Sequence, residues 1–522
     1  MKNIRRILAL ALALLLVLTL SACTEEEQPL DLTVSLPQTL TTLDPAMVTT
    51  ETEKTVVYHL YENLMKLIDD TQGGSQAVYG MASSYQCENN LDGTQTWTFS
   101  LRGNATWADG KPVRAADFVY AWRRLADPAT ESPNAHVLDM VAGYDEARKK
   151  GDMTKLQVSA VDDRTLEVVL SHNYPNFIHT VCVHPATMPV REDMVQAEDW
   201  SMTVSTLVGN GPYRSVESWQ ENTLKVKSGE GYYDYRRLGP ASISFSFGGS
   251  SEADFVLTHA GVSEDGWNLG SLPYTGTLVI NQMTTVSEEV RQAMSLVIDR
   301  YEIAGELGSV YVPAEGLIPH GIRSAQGAPL RELAGIKIDS DPERYEARCQ
   351  SALDMIRGQG LPGAGELSLT YVSDGATDRV AKALQKMWYD KLGLVVTLRA
   401  LDEETMANNL GKGEFSMALV MMHCDRDDAS FLLEDWISGA KGNYANIHNS
   451  AYDLLLRSCK VSSSAVARDA YLIDAEQMLL ESGYVVPVCF ATDSWKLREE
   501  LKGVFADGVG AYLFTTVARV EK

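Results

Sequence analysis

A chain of 522 residues exceeds the roughly 250 to 300 at which one hydrophobic core stops growing, so at least two lobes are expected. With 45% apolar and 22% charged residues and no repeat of fixed period, it is expected to fold throughout. The formal net charge of -25 repels phosphate backbones, which argues against nucleic acid as a partner and favours ammonium-bearing ligands at long range.

The first elements concern targeting. Lys2, Arg5 and Arg6 precede an uncharged apolar run, 7–20, shorter than the roughly 20 residues that a membrane span needs. Small residues and Cys23 follow, so residues 1–22 read as a secretory signal peptide. The tetrad Leu20-Ser21-Ala22-Cys23 resembles the lipobox of bacterial lipoproteins. That likeness implies a lipid anchor on Cys23, a charged tether over 23–30, and a body held at the outer face of the cytoplasmic membrane.

Apolar spacing predicts a helix over 52–68. An Asp92-Gly93 turn leads into the strand "TWTFSL", 96–101, and Asp109-Gly110 leads into a helix over 115–125. "TLEVVL", 165–170, and "TLKVKS", 223–228, alternate as strands. The second half has a regular rhythm: strand 367–372, helix 377–391, strand 394–400, helix 403–410, then an unbroken apolar run over 415–422. Such alternation builds a parallel sheet with the apolar strand in its interior. Ligands of open α/β sheets bind beyond the carboxyl ends of the strands. Beyond residue 422 comes "HCDRDDAS", where Asp425, Asp427 or Asp428 could pair with an ammonium group; the plainer reading is a solvated acidic turn.

Six further cysteines are scattered without a Cys-x-x-Cys pair, and Cys489, inside "YVVPVCF", reads as a buried free thiol. "HTVCVHP" offers His179, Cys182 and His184. On a strand His179 would face away from the other two, so packing rather than zinc is expected, and no metal or cofactor is assigned. The sequence contains no Gly-x-Ser-x-Gly elbow, no His-Glu-x-x-His pair and no glycine-rich phosphate loop, so a secreted hydrolase is the weaker alternative and no enzyme is expected.

Read in order, "TLDPAM", "WTFSLRGNATWADGKPVRAADFVYAWRRLADPATESPNA", "VGNGPYRSVESW", "VINQMTTVSEEVRQAMSLVIDR", "GEFSMALVMMHCDRDDASFL" and "YVVPVCFATDSW" resemble the peptide-binding members of the extracellular solute-binding protein family 5, which serve ABC importers. The resemblance implies an α/β, two-lobed periplasmic-binding-protein-like fold of type II. Lobe I would take 31–63, 190–282 and 494–522, an inserted domain 64–189, and lobe II 283–493, with hinge crossings near Gln282 and Asp493. It also implies a monomer that captures short peptides between its lobes and hands them to permease subunits. By the same likeness Asp425 would take the peptide amino terminus, and Met422, His423 and Cys424 would supply backbone donors and acceptors. Thr50 and Glu51 would line the peptide backbone, and Phe490 would roof the cleft. Relatives that carry nickel complexes, haem, opines or oligosaccharides leave the cargo open.

Overall fold

The computed structural model describes residues 29–70, 75–197, 199–249, 252–262, 265–284, 286–363 and 365–520. The expected signal peptide, Cys23 and all but the end of the tether lie outside the described residues. Among those described, no helix is long and apolar enough to cross a membrane.

An 11-stranded sheet runs through both halves of the molecule. Its strands, in chain order, are β1 (Asp31–Leu36), β2 (Ser215–Gln220), β3 (Thr223–Lys227), β4 (Ser242–Phe247), β5 (Phe255–Thr258), β6 (Asn268–Ile280), β7 (Tyr311–Pro313), β8 (Leu367–Val372), β9 (Val396–Leu401), β10 (Met417–His423) and β11 (Val485–Leu497). Across the sheet they run β9-β8-β10-β6-β11-β5-β1-β4-β3-β2, with β7 paired to β11. The central pair, β6 and β11, are thirteen residues each. Their antiparallel register holds from Asn268 opposite Trp495 to Ser271 opposite Thr492, breaks, and resumes at Thr275 opposite Phe490. On one side of the break β11 pairs with β5; on the other β6 pairs with β10. A break in the ladder is where a strand pair bends. It falls beside Asp493 on one strand and upstream of Gln282 on the other.

Among the described residues, three cores divide the molecule. The first gathers Val34 and Leu36 of β1, Phe245 of β4 and Phe514 with Trp97, Phe118 and Trp122, so the 64–189 region packs on the same core as its flanks. The second and third cover opposite faces of the other half. Leu278, Ile280 and Met417 point into one; Val279 and Ala418 point into the other. With both faces covered, no position along β10's first turn of pleat needs to be polar, which is why that stretch reads as an unbroken apolar run.

The strands Thr165–Leu170 and Leu367–Val372 lie where alternation placed them. The helix expected over 52–68 does not: α1 is Glu51–Leu60, and Met65–Asp69 is a strand paired with Ser75–Tyr79. The carbonyls that a longer helix would need are taken by a distant segment, since Gly211 N–H donates to Leu60 O and Tyr213 N–H to His59 O, each at 2.9 Å. Glycine is required for that approach, because a Cβ on Gly209 would lie 2.0 Å from Leu60 O. The "HTVCVHP" stretch is not a strand either. Phe177–Thr180 is a helical turn, and His184 caps the next turn, its Nδ1 accepting from Ala186 N–H at 3.1 Å. Cys489 is a buried free thiol, as its apolar surroundings imply.

Candidate functional site

The run of β10 toward its carboxyl end makes the site. Among the described residues, neighbouring β8 pairs with β10 only at Met417 and Ala418, and from Leu419 to His423 the strand is held by β6 alone. Cys424 N–H donates to Pro273 O at 2.9 Å. Antiparallel pairing alternates, so the N–H and C=O groups of Met422 also face β6 while those of Met421 and His423 turn to the other edge. Of the three residues named for their backbone, only His423 turns its groups to the open edge; Met422 pairs with Thr275 of β6, and Cys424 N–H is held by Pro273 O.

Side chains follow the same period of two. Met422 and Cys424 are buried at 7% and 1% exposure, and the Cys424 thiol donates to Arg426 O at 3.2 Å. Met421 and His423 are exposed. The His423 ring lies flat on Tyr274, its opposite residue on β6, with centroids 4.4 Å apart. Although its side chain reaches the surface, the protein packed around the ring strips water from it and lowers the His423 imidazole from its ordinary value, and Lys54 adds to this; Asp425 and Glu51 pull the other way.

Thr50 is the N-cap of α1. Its Oγ1 accepts Glu53 N–H at 3.2 Å and Glu53 returns a bond to Thr50 N–H, so this side chain is spent on the helix. Glu51 is 6% exposed and accepts from Gln38 Nε2 at 3.2 Å. Phe490 is 1% exposed and meets His320 edge-on at 5.3 Å. The ring is enclosed, because β11 is covered on both faces over its first ten residues.

The three acids of the loop have separate fates, and a uniformly solvated turn is excluded. Asp428 is fully buried and accepts from Arg468 at 2.7 and 2.8 Å, from Tyr174 Oη at 2.7 Å and from Asn176 Nδ2 at 3.2 Å. Burial pushes Asp427 up to about 7, opposed by Arg323, whose N–H it accepts at 2.6 Å. Asp425 keeps 30% side-chain exposure; its Oδ2 accepts from His136 Nε2 and its Oδ1 lies 3.5 Å from Arg426 Nε. Burial works against its charge, yet His136 and Arg426 outweigh that and hold the carboxyl well below the usual carboxylate range.

Nothing in the sequence pattern marks Lys54 or Tyr274 for this site, His184 stands out there only as a zinc candidate, and His136 carries a single signal. His136 follows directly on the longest segment quoted above, which was its one available signal. A cavity of about 710 Å³ lies apart from all these residues, walled by Glu62, Lys66, Arg102, Tyr232 and Tyr233. Its charges are already answered: Lys66 meets Asp234 at 2.8 Å, and Tyr233 Oη donates to Glu62 at 2.6 Å.

The family model for bacterial extracellular solute-binding proteins, family 5 Middle, matches residues 76–270 and 270–444. A dipeptide-binding protein of Bacillus subtilis, DppE, is 25% identical over 436 residues, covering 80% of each chain. A periplasmic oligopeptide-binding protein of Salmonella typhimurium, OppA, is 28% identical over 509 residues, covering 90% of each. A solved structure of the murein tripeptide binding protein MppA in its unliganded open form superposes with a TM-score of 0.80 at 24% identity, over 95% of this chain and 98% of that one. The fold is the two-lobed α/β fold of these proteins.

Proposed function

The chain belongs to the bacterial extracellular solute-binding proteins of family 5, and from that premise we propose that it captures short peptides for an ABC importer. The observation that carries this reading is the open edge of β10 ending at Asp425. An extended peptide laid along Leu419 to His423 gains main-chain hydrogen bonds that do not depend on its side chains. Asp425 then fixes direction by pairing with the terminal ammonium, a charge-assisted bond strengthened where water is partly excluded. Glu51, whose charge raises both the Tyr274 phenol and the His423 imidazole, adds negative potential from α1. Bridging waters fill roomy side-chain pockets, which suits broad cargo.

Lobe I is 31–63, 190–282 and 494–522, the inserted domain 64–189, and lobe II 283–493. Closure about the broken register of β6 and β11 buries the guest and forms the face that the permease reads. No bond is made or broken. A lipid on Cys23 tethers the body to the outer face of the membrane, and Cys23→Ser should release it in soluble form.

Native mass spectrometry of protein purified without refolding tests the cargo: a co-purifying mixture of short peptides is expected, and a uniform sugar or metal complex overturns it. Asp425→Asn should weaken free-amine peptides about tenfold or more, as for loss of a charged hydrogen bond, and spare their acetylated forms. Equal losses for both would remove Asp425 from the role.

A further inference from the structure

We propose that His136 is the chain's own occupant of the Asp425 carboxylate, a built-in competitor that a ligand's ammonium group must displace. The inference rests on Asp425 as the amine-binding residue. Capture is then an exchange of partners on one carboxylate.

The two residues lie 289 positions apart, His136 next to Val137 of the first core and Asp425 next to Cys424 of the third. His136 sits in the turn Ala135–Leu138, whose Val137 and Leu138 are buried in the first core at 1% and 0% exposure. Just before it, Asn134 Nδ2 donates to Val48 O at 2.7 Å and to Ala46 O at 3.2 Å, tying the turn to the segment that leads into α1. Just after it, Asp139 accepts from Arg426 at 3.3 and 3.4 Å. The contact is therefore a crossed pair: base on acid at His136 and Asp425, acid on base at Asp139 and Arg426. Arg426 is itself fixed, 3% exposed with its guanidinium 3.3 Å from the centroid of the Phe431 ring.

Two features make the His136 arm the exchangeable one. Its side chain is 43% exposed, so water can replace it at small cost, whereas Arg426 is enclosed. It also reaches Asp425 from the distant 64–189 region, whereas Arg426 adjoins Asp425 in the same loop. An imidazole N–H on a carboxylate oxygen stands where an ammonium N–H would stand.

The test uses the full-length protein with matched free-amine and N-acetylated peptides in titration calorimetry. His136→Ala should tighten free-amine peptides about three- to tenfold, the worth of one part-exposed hydrogen bond to a carboxylate, and leave acetylated peptides unchanged. His136→Gln, which keeps a donor, should stay near wild type. Weaker free-amine binding in His136→Ala, rescued by glutamine, would overturn the proposal and make His136 a positioning residue for Asp425. A second readout needs no ligand: the Asp425 carboxyl carbon, followed by NMR, should titrate at higher pH in His136→Ala, and an unmoved titration would dismiss the contact. If wild type fails to distinguish free from acetylated peptides, the amine role of Asp425 falls and the competitor with it. If that discrimination stands and His136→Ala changes nothing, only the competitor falls.

Discussion

Replacing Arg468 by leucine isolates the one loop acid that has no route to water. Asp428 is fully buried, and Arg468, itself 2% exposed, is its only cationic hydrogen-bond partner among the described residues. Removing one partner of a buried pair costs about 3 to 5 kcal/mol, because the remaining charge is left uncompensated. Tyr174, Asn176 and the Ser430 N–H still donate to Asp428, so the lower end, about 3 kcal/mol, is expected near neutral pH. The effect should depend on pH with a definite sign. Burial alone would raise the Asp428 carboxyl, but Arg468 more than reverses this, so it titrates below its ordinary value. In wild type the pair therefore stabilises above the unfolded carboxylate value of about 3.9 and is lost below it. Without Arg468 the carboxyl rises, and protonation relieves the buried charge. Urea unfolding of Arg468→Leu should show the full loss at about pH 7.5 and a smaller one toward about pH 4.5. A loss under about 1 kcal/mol, or one that is equal at both values, would refute the reasoning. The double variant Arg468→Leu with Asp428→Leu should recover stability relative to Arg468→Leu alone.

Gly209→Ala should destabilise by more than the roughly 1 kcal/mol typical of point variants, since its Cβ would strike Leu60 O at 2.0 Å; unchanged urea midpoints would contradict this. His423→Pro removes an open-edge N–H and should weaken every peptide while leaving the fold intact, whereas Met422→Pro breaks the ladder to β6 and should lower stability by about 3 kcal/mol. Calorimetry and unfolding that give the reverse pattern would invert the assigned edge. Asp427, pushed up to about 7 by burial, binds a proton more tightly folded than unfolded, so its contribution to stability falls as pH rises from about 4 through about 7. Asp427→Asn should therefore match wild type near about pH 4.5 and exceed it near about pH 8, by at most about 4 kcal/mol; parallel pH profiles would dismiss the assignment.

Much of the second half was legible because its information is local. Residues 367–372 and 377–391 declare their periods within one turn or one pleat, and nothing distant overrides them. The end of α1 was not legible. Val56, Leu60, Leu64 and Leu67 keep a helical spacing, and only the arrival of Gly211 and Tyr213 on the last-turn carbonyls decides that the helix stops. The site divides in the same way. That Asp425 follows a buried strand can be read directly from the sequence. That His423 rather than Met422 faces the open edge requires the register against Tyr274, set by the long strand β6. Aromatic content around Phe490 likewise does not reveal that β11 is enclosed on both sides.

Composition offered three carboxylates in four positions, equivalent on paper. Packing separates them by what each partner leaves unfilled. Asp428 is tied to Arg468, Tyr174 and Asn176 and has no exposed surface. Asp427 is nearly enclosed, its carboxylate accepting from the Arg323 backbone N–H, 3.6 Å from Arg323 Nε, and packed against Gly508. Only Asp425 combines a carboxyl held in its charged form with a partner that is half exposed and anchored in the distant 64–189 region. A charge that must stay ionised, reach solvent and change partners is what amine capture demands, and the other two fail on exposure. The three asparagine variants should therefore separate cleanly. Asp428→Asn should lower stability with little change in preference for free over acetylated peptides, and Asp425→Asn should abolish that preference with little change in stability. A common loss of both properties in all three would mean that the loop acts as one structural unit and that no single carboxylate is set aside for the ligand.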